Sequence, residues 1–147
     1  MKSLLPRWIT ICAVALMVGA IAPASSGQSV GSLVSITDVL GKTLGVSGDQ
    51  ASGGVGSILS LAQNKLPASD YTKVADAVPG ADKYVQKAKD LGAVPAEGIK
   101  EKSGLDAAYE KLGISPDVAK KFTPAVVDFV GKAGGSEVGG LLGSVLK

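Results

Sequence analysis

Leu44-Gly45-Val46-Ser47-Gly48-Asp49-Gln50-Ala51 decides the fold class, and its pattern returns 68 residues later as Leu112-Gly113-Ile114-Ser115-Pro116-Asp117-Val118-Ala119. In each copy an apolar periodicity ends on a Gly, which can take the left-handed conformation that closes a helix. An apolar plug follows. A Ser then caps the next helix, with Asp in the first turn, where the helix dipole favours negative charge. Ser47 and Gln50 have capping-box spacing, with Val46 placed to staple against Ala51, and Pro116 suits a first helical turn. Gly45, Ser47, Gly113 and Ser115 are therefore read as helix joints. Beyond them Ile58/Val126, Leu59/Val127, Leu61/Phe129 and Ala62/Val130 align at the same offset. Either a helix-Gly-apolar-Ser-helix element is duplicated, or capping chemistry has produced the same joint twice.

Outward from the joints, apolar residues recur at helical spacing and strict alternation is scarce. From Ser29 the stripe is Val30, Leu33, Val34, Thr37, Leu40 and Leu44. After the first joint it is Ala51, Val55, Ile58, Leu59, Ala62 and Leu66, ended by Pro67. Gly53, Gly54 and Gly56 lie inside that helix at roughly 1 kcal/mol each relative to Ala, so they predict close helix packing. A phosphate-binding glycine loop does not fit, because neither of its spacings is present and no strand pattern precedes it. Ser69 is expected to cap a short helix through Tyr71, Val74, Ala75 and Val78, ended by Pro79. A helix from about Ala81 carries Tyr84, Val85, Ala88 and Leu91 and closes at Gly92.

Residues 92–102 hold Pro95, Glu97, Gly98, Lys100, Glu101 and Lys102 around a single Ile, and read as the main exposed connection. Past it, a helix over 103–112 presents Leu105, Ala108, Tyr109 and Leu112. The next, from Ser115, presents Val118, Phe122, Val126, Val127, Phe129 and Val130, and Pro124 predicts a kink or break near 122–123. The last, from Ser136, carries Val138, Leu141, Leu142, Val145 and Leu146 on one side. Gly139, Gly140, Gly143 and Ser144 lie on the other. The fold class is all-α, a compact bundle of six or seven short helices.

At the N-terminus, Lys2 and Arg7 precede an uncharged apolar run over 8–22 and then Pro23-Ala24-Ser25-Ser26-Gly27. That is the pattern of a secretory signal peptide, with a run too short for a comfortable membrane span. Small residues at −3 and −1 place cleavage after Ala24 or Ser26. The expectation is a signal peptide over 1–24 and one helical domain over 25–147, periplasmic or secreted, with no stable membrane span after cleavage. Cys12 follows Ile11 rather than the small residue that lipid attachment requires.

The leader contains the only Arg, the only Trp and the only Cys, and the chain has no His. The mature chain keeps 13 Lys against 13 Asp and Glu, a net charge of zero. Zinc, copper and haem sites, thiol catalysis and a Ser-His-Asp triad all need residues it lacks. Neutrality and the absence of Arg argue against nucleic acid. Lys83, Lys87 and Lys89 are flanked by Asp82 and Asp90 and read as a solvated face. A carboxylate-based hydrolase would need a sugar-stacking surface, for which only Tyr71, Tyr84 and Tyr109 remain. The one Ser-x-x-Lys pair is Ser144 with the terminal Lys147. No catalytic residue, metal ligand or cofactor is therefore assigned.

The residues fit instead a non-catalytic interaction or structural protein that binds a protein partner or itself. Gly139, Gly140, Gly143 and Ser144 are the candidate interaction face, small enough for another helix to approach. The alternative is a carrier of an apolar small molecule or lipid, which needs an internal cavity lined by side chains such as Leu59, Phe122, Val126 and Phe129.

The set Leu-Gly-Val-Ser-x-x-Gln-Ala with Gly53-Gly54, Ala62-Gln63, Val78-Pro79-Gly80, Leu112-Gly113-Ile114-Ser115-Pro116, Phe122-x-Pro124, and Gly134-Gly135 before a Leu-rich helix resembles the VcgC/VcgE-type family of uncharacterised bacterial proteins. The resemblance spans about residues 33–146. It implies a bacterial, exported, helical domain and offers no catalytic residues to carry over. The stretch 83–102 departs from it in being more polar.

Overall fold

A computed structural model describes residues 35–147. The leader, the cleavage positions Ala24 and Ser26, Cys12, and the apolar positions Val30, Leu33 and Val34 lie outside the described residues. Seven helices follow in order: α1 Ile36–Leu44, α2 Gly48–Lys65, α3 Ala68–Ala77, α4 Ala81–Asp90, α5 Lys102–Lys111, α6 Pro116–Gly134 and α7 Ser136–Val145. Among the described residues no strand is present.

Both joints form as capping chemistry dictates. Gly45 closes α1 at φ 70°, its N–H donating to the Gly41 carbonyl at 3.0 Å. The Ser47 hydroxyl accepts from the Gln50 N–H at 3.2 Å, and Gln50 Oε1 accepts from the Ser47 N–H at 2.9 Å. At the second joint Gly113 has φ 71°. There Gly113 donates to the Glu110 carbonyl and Ile114 to the Tyr109 carbonyl, the paired bonds of a Schellman close. Ser115 then accepts from the Val118 N–H at 3.4 Å.

Gly53, Gly54 and Gly56 of α2 face other helices, as their position inside a helix predicted. A Cβ on Gly56 would run into the Tyr84 carbonyl of α4, and one on Gly53 would lie 2.5 Å from Leu112 Cδ2. One on Gly54 would lie 2.5 Å from Phe122 Cζ, so the ring of α6 fills the space that Gly54 leaves. Ser57, buried in the same helix, returns its hydroxyl to the Gly53 carbonyl at 2.8 Å, which removes the penalty of an unpaired polar group. The core is continuous through all seven helices, from Ile36 and Leu40 to Leu142 and Leu146.

Three local expectations are corrected. The cap of α3 is Pro67, not Ser69: Asp70 and Tyr71 both donate to the Pro67 carbonyl, and Pro67 has no N–H to leave unsatisfied. Residues 92–102 are not a free connection, because Ala93, Val94 and Ile99 are buried. Ile99 donates its N–H to Ser60 Oγ at 3.0 Å, while Asn64 Nδ2 donates to the Ile99 carbonyl at 3.2 Å. Finally, α6 runs unbroken through Pro124. The proline lies on the exposed side, while Phe122, Val126 and Val130 hold the helix to the core on both sides of it.

Candidate functional site

Helix α7 places its side chains by the helical period. Val138, Leu142 and Leu146 are buried, with Leu141 and Val145 half-buried at the margins. Gly139 follows Val138 by one position and precedes Leu142 by three, so it shares their inward side. A Cβ on it would meet the Gly131 Cα at 2.9 Å and the Val127 carbonyl at 3.3 Å. Gly139 is thus buried in a close backbone crossing with α6, so of the four small residues expected on one face it is the one that turns inward. Gly140, Gly143 and Ser144 remain at the surface. A Cβ on Gly140 would meet nothing within 4 Å, and one on Gly143 would lie 3.7 Å from Val127 Cγ1.

These residues line an open groove of about 550 Å³ between α6 and α7, together with Val127, Gly131, Ser136 and the buried Gly139. Exposed Asp128, Lys132 and Lys147 border it, so both signs of charge are present at the edge. Ser144 is satisfied locally, donating to the Leu141 carbonyl at 2.7 Å.

A second depression, about 480 Å³, runs between α5 and α6. Buried Leu105, Tyr109, Ile114 and Leu146 form its apolar floor, and exposed Lys102, Asp106, Glu110 and Lys120 border it. Tyr109 stacks obliquely on Phe122, with centroids 5.6 Å apart and an interplanar angle of 60°, and its hydroxyl lies 3.3 Å from Thr123 Oγ1. Burial pushes the Tyr109 phenol well above its ordinary value; the hydrogen bond with Thr123 opposes this and the Asp106 charge adds to it. The phenol therefore stays protonated near neutral pH and supplies neither a base nor a nucleophile. Tyr71, on α3, has a buried hydroxyl without a protein partner, and desolvation with the Asp82 charge raises it too.

The residues named for a carrier cavity do not come together around one. Leu59, Phe122 and Val126 are fully buried and Phe129 packs against the same core, and none of the four lines either depression. The lysine-rich face of α4 is engaged in part, with Lys87 Nζ 3.0 Å from Asp49 Oδ1. The α5–α6 groove was missed in the sequence because Tyr109 and Leu105 read simply as core. Its signal was the polar ridge Lys102, Asp106 and Glu110 at steps of four beside them.

No helix among the described residues is long and apolar enough to cross a membrane. A family model described as "Protein of unknown function VcgC/VcgE (DUF2780)" matches residues 17–147. No curated protein and no solved structure matches the chain.

Proposed function

The chain belongs to the VcgC/VcgE family, and from that premise we propose an exported, non-catalytic helical domain that works by holding a second copy of itself through the α6–α7 groove. The observation that carries this is the division of α7. Its large side chains turn inward, while Gly140, Gly143 and Ser144 leave backbone open to a closely approaching helix. Such an approach gains packing without a large exposed apolar patch. Only Leu91 among the large apolar residues described is markedly exposed. Asp128 beside Lys132 and Lys147 gives the groove edge both signs, so a two-fold pairing can bring the Asp128 of one copy to a lysine of the other. Export is supported by the basic, apolar and small-residue order of residues 1–26, and a non-catalytic role by the lack of His and, past the leader, of Cys and Arg.

Sedimentation of the mature chain tests it. The wild type should show a concentration-dependent dimer that Gly140→Gln with Gly143→Gln abolishes while helicity is kept. A wild type that stays monomeric at high concentration sinks the proposal.

A second reading, carriage of an apolar small molecule, is favoured by one feature, the α5–α6 groove. Its volume lies within the range of ligand pockets, roughly 300 to 1,000 Å³. Enhancement of an apolar fluorescent probe, lost on Leu105→Lys, would support it.

A further inference from the structure

The repeat of the joint extends much further in three dimensions than in sequence. Helices α2 and α6 begin at residues 48 and 116, and α3 and α7 at residues 68 and 136, both pairs 68 apart. Helices α3 and α7 are each ten residues long. Helix α1 ends at residue 44 and α5 at residue 111, one short of the same offset. Only α4 has no counterpart.

The packing repeats as well. Helix α1 lies on α2 and α6, and its counterpart α5 lies on α6 and α2. Helix α3 lies on α2 and α6, and α7 on α6 and α2. The remaining contacts between the halves join counterparts directly, α2 with α6 and α3 with α7. With α4 set aside, every substantial helix contact has its mate under exchange of the two triplets. That reciprocity is the property of an isologous interface, in which residue i meets j and j meets i.

At the centre stands the sharpest case. Gly54 and Phe122 are counterparts at the 68-residue offset, and they touch each other. A residue that contacts its own counterpart lies on the axis relating the two copies. Two equal side chains of phenylalanine size could not share that place, whereas Gly and Phe fill it between them with Phe122 fully buried.

The two copies then diverge in surroundings. Along α2, Gly53, Gly56 and Ser60 are covered by the segment that follows α3, which also reaches exposed Asp49. Lys87 pairs with Asp49, Leu91 lies at Gly53, Tyr84 at Gly56, and Ile99 bonds to Ser60. On α6 the counterparts of the three covered residues are Lys121, Pro124 and Asp128, all exposed. Residues 81–101 therefore seal the first copy, and charge solvates the second. On the other flank, α6 and α7 close directly through Gly131 and Gly139, where their counterparts Gln63 and Tyr71 could not.

We infer that this domain is a covalent pseudo-dimer: two copies of one three-helix unit, α1–α3 and α5–α7, meeting through a self-recognising surface centred on Gly54 and Phe122. The partner that the inner face of each unit fits is the other unit of the same kind. This surface is separate from the α6–α7 groove, so either can fail without the other.

Exchanging the residues on the axis tests it in the full mature chain. Phe122→Gly alone opens a core cavity and Gly54→Phe alone overfills the same space, and each should lower the melting temperature by roughly 10 °C or more. Combined, they put the ring on α2 and the gap on α6, and the pair should regain at least half of the summed loss. A milder pair guards against failure to fold: Gly54→Ala with Phe122→Leu against Gly54→Leu with Phe122→Ala. The two orders should melt within a few degrees of each other. Losses that simply add in the first pair, or a second pair in which only one order folds, would overturn the pseudo-dimer.

Discussion

The side-chain amide of Gln50 donates to the carbonyl of Leu112 at 3.1 Å, and to that of Gly113 at 3.1 Å, so the residue that caps α2 also closes α5. Its Oε1 is occupied by the Ser47 N–H of its own capping box. One side chain thus satisfies an orphan donor at one helix start and two orphan acceptors at the end of another, and it ties the two joints together.

Gln50→Ala should therefore destabilise by about 1 to 2 kcal/mol, more than an isolated cap residue at a surface helix. Gln50→Glu is the sharper variant. Glutamate preserves the capping box but has no donor for Leu112 and sets its charge against two carbonyl oxygens. It should be no more stable than Gln50→Ala in chemical denaturation, and recovery of wild-type stability by Glu would remove the clasp.

Glycine substitutions should sort by geometry rather than by exposure. Gly113→Ala strains a residue at φ 71° and should lose roughly 1 kcal/mol. Gly98, which as a loop residue should have tolerated Ala, sits at φ 81° with a Cβ only 2.6 Å from Asn64 Nδ2, so it should lose at least as much. Gly56→Ala meets the Tyr84 backbone and should be the most damaging of the series, by about 3 kcal/mol or more. Gly140→Ala, helical and open, should gain up to about 1 kcal/mol. Thermal melts of the four variants give the order directly, and a neutral Gly56→Ala would contradict the α2–α4 crossing.

Much of this was legible from the chain because caps and glycine closes are local: the chemistry of Gly45, Ser47, Gly113 and Ser115 is complete within eight residues. The unread part is long-range. Ala93, Val94 and Ile99 have no periodicity, and Ile99 is held by Ser60 and Asn64, more than 30 residues away. The third pair of repeated helices was invisible because α3 and α7 share no identical residue at the offset, their common position being enforced by the units they pack against. For the candidate face, helical periodicity alone placed Gly139 with Gly140. The nearness of Gly131 on α6, which draws Gly139 inward, is a fact of tertiary packing.

Alkaline pH should weaken the fold through Tyr109. Its phenol is raised above the ordinary value of 10.0 by burial, so the folded state holds the proton after the unfolded state has released it. This contribution is fully present below pH 10 and is lost as pH climbs past that value. Denaturation midpoints should fall above about pH 10, and less steeply in Tyr109→Phe. An identical slope in the two proteins would show that Tyr109 is not the group responsible.

Export makes its own prediction. Intact mass of the exported protein should begin at Ser25 or Gly27, after cleavage behind Ala24 or Ser26. A membrane-bound species that retains Trp8 would contradict the leader.

The most direct measurement places a single cysteine in the mature chain, which has none of its own, at Ser144→Cys in the α6–α7 groove, with Lys111→Cys on exposed α5 as control. If two copies meet through α7, oxidation should trap a disulfide-linked dimer at Ser144→Cys roughly tenfold faster than at Lys111→Cys, because pairing raises the local thiol concentration. Equal rates at the two sites would contradict pairing through this groove.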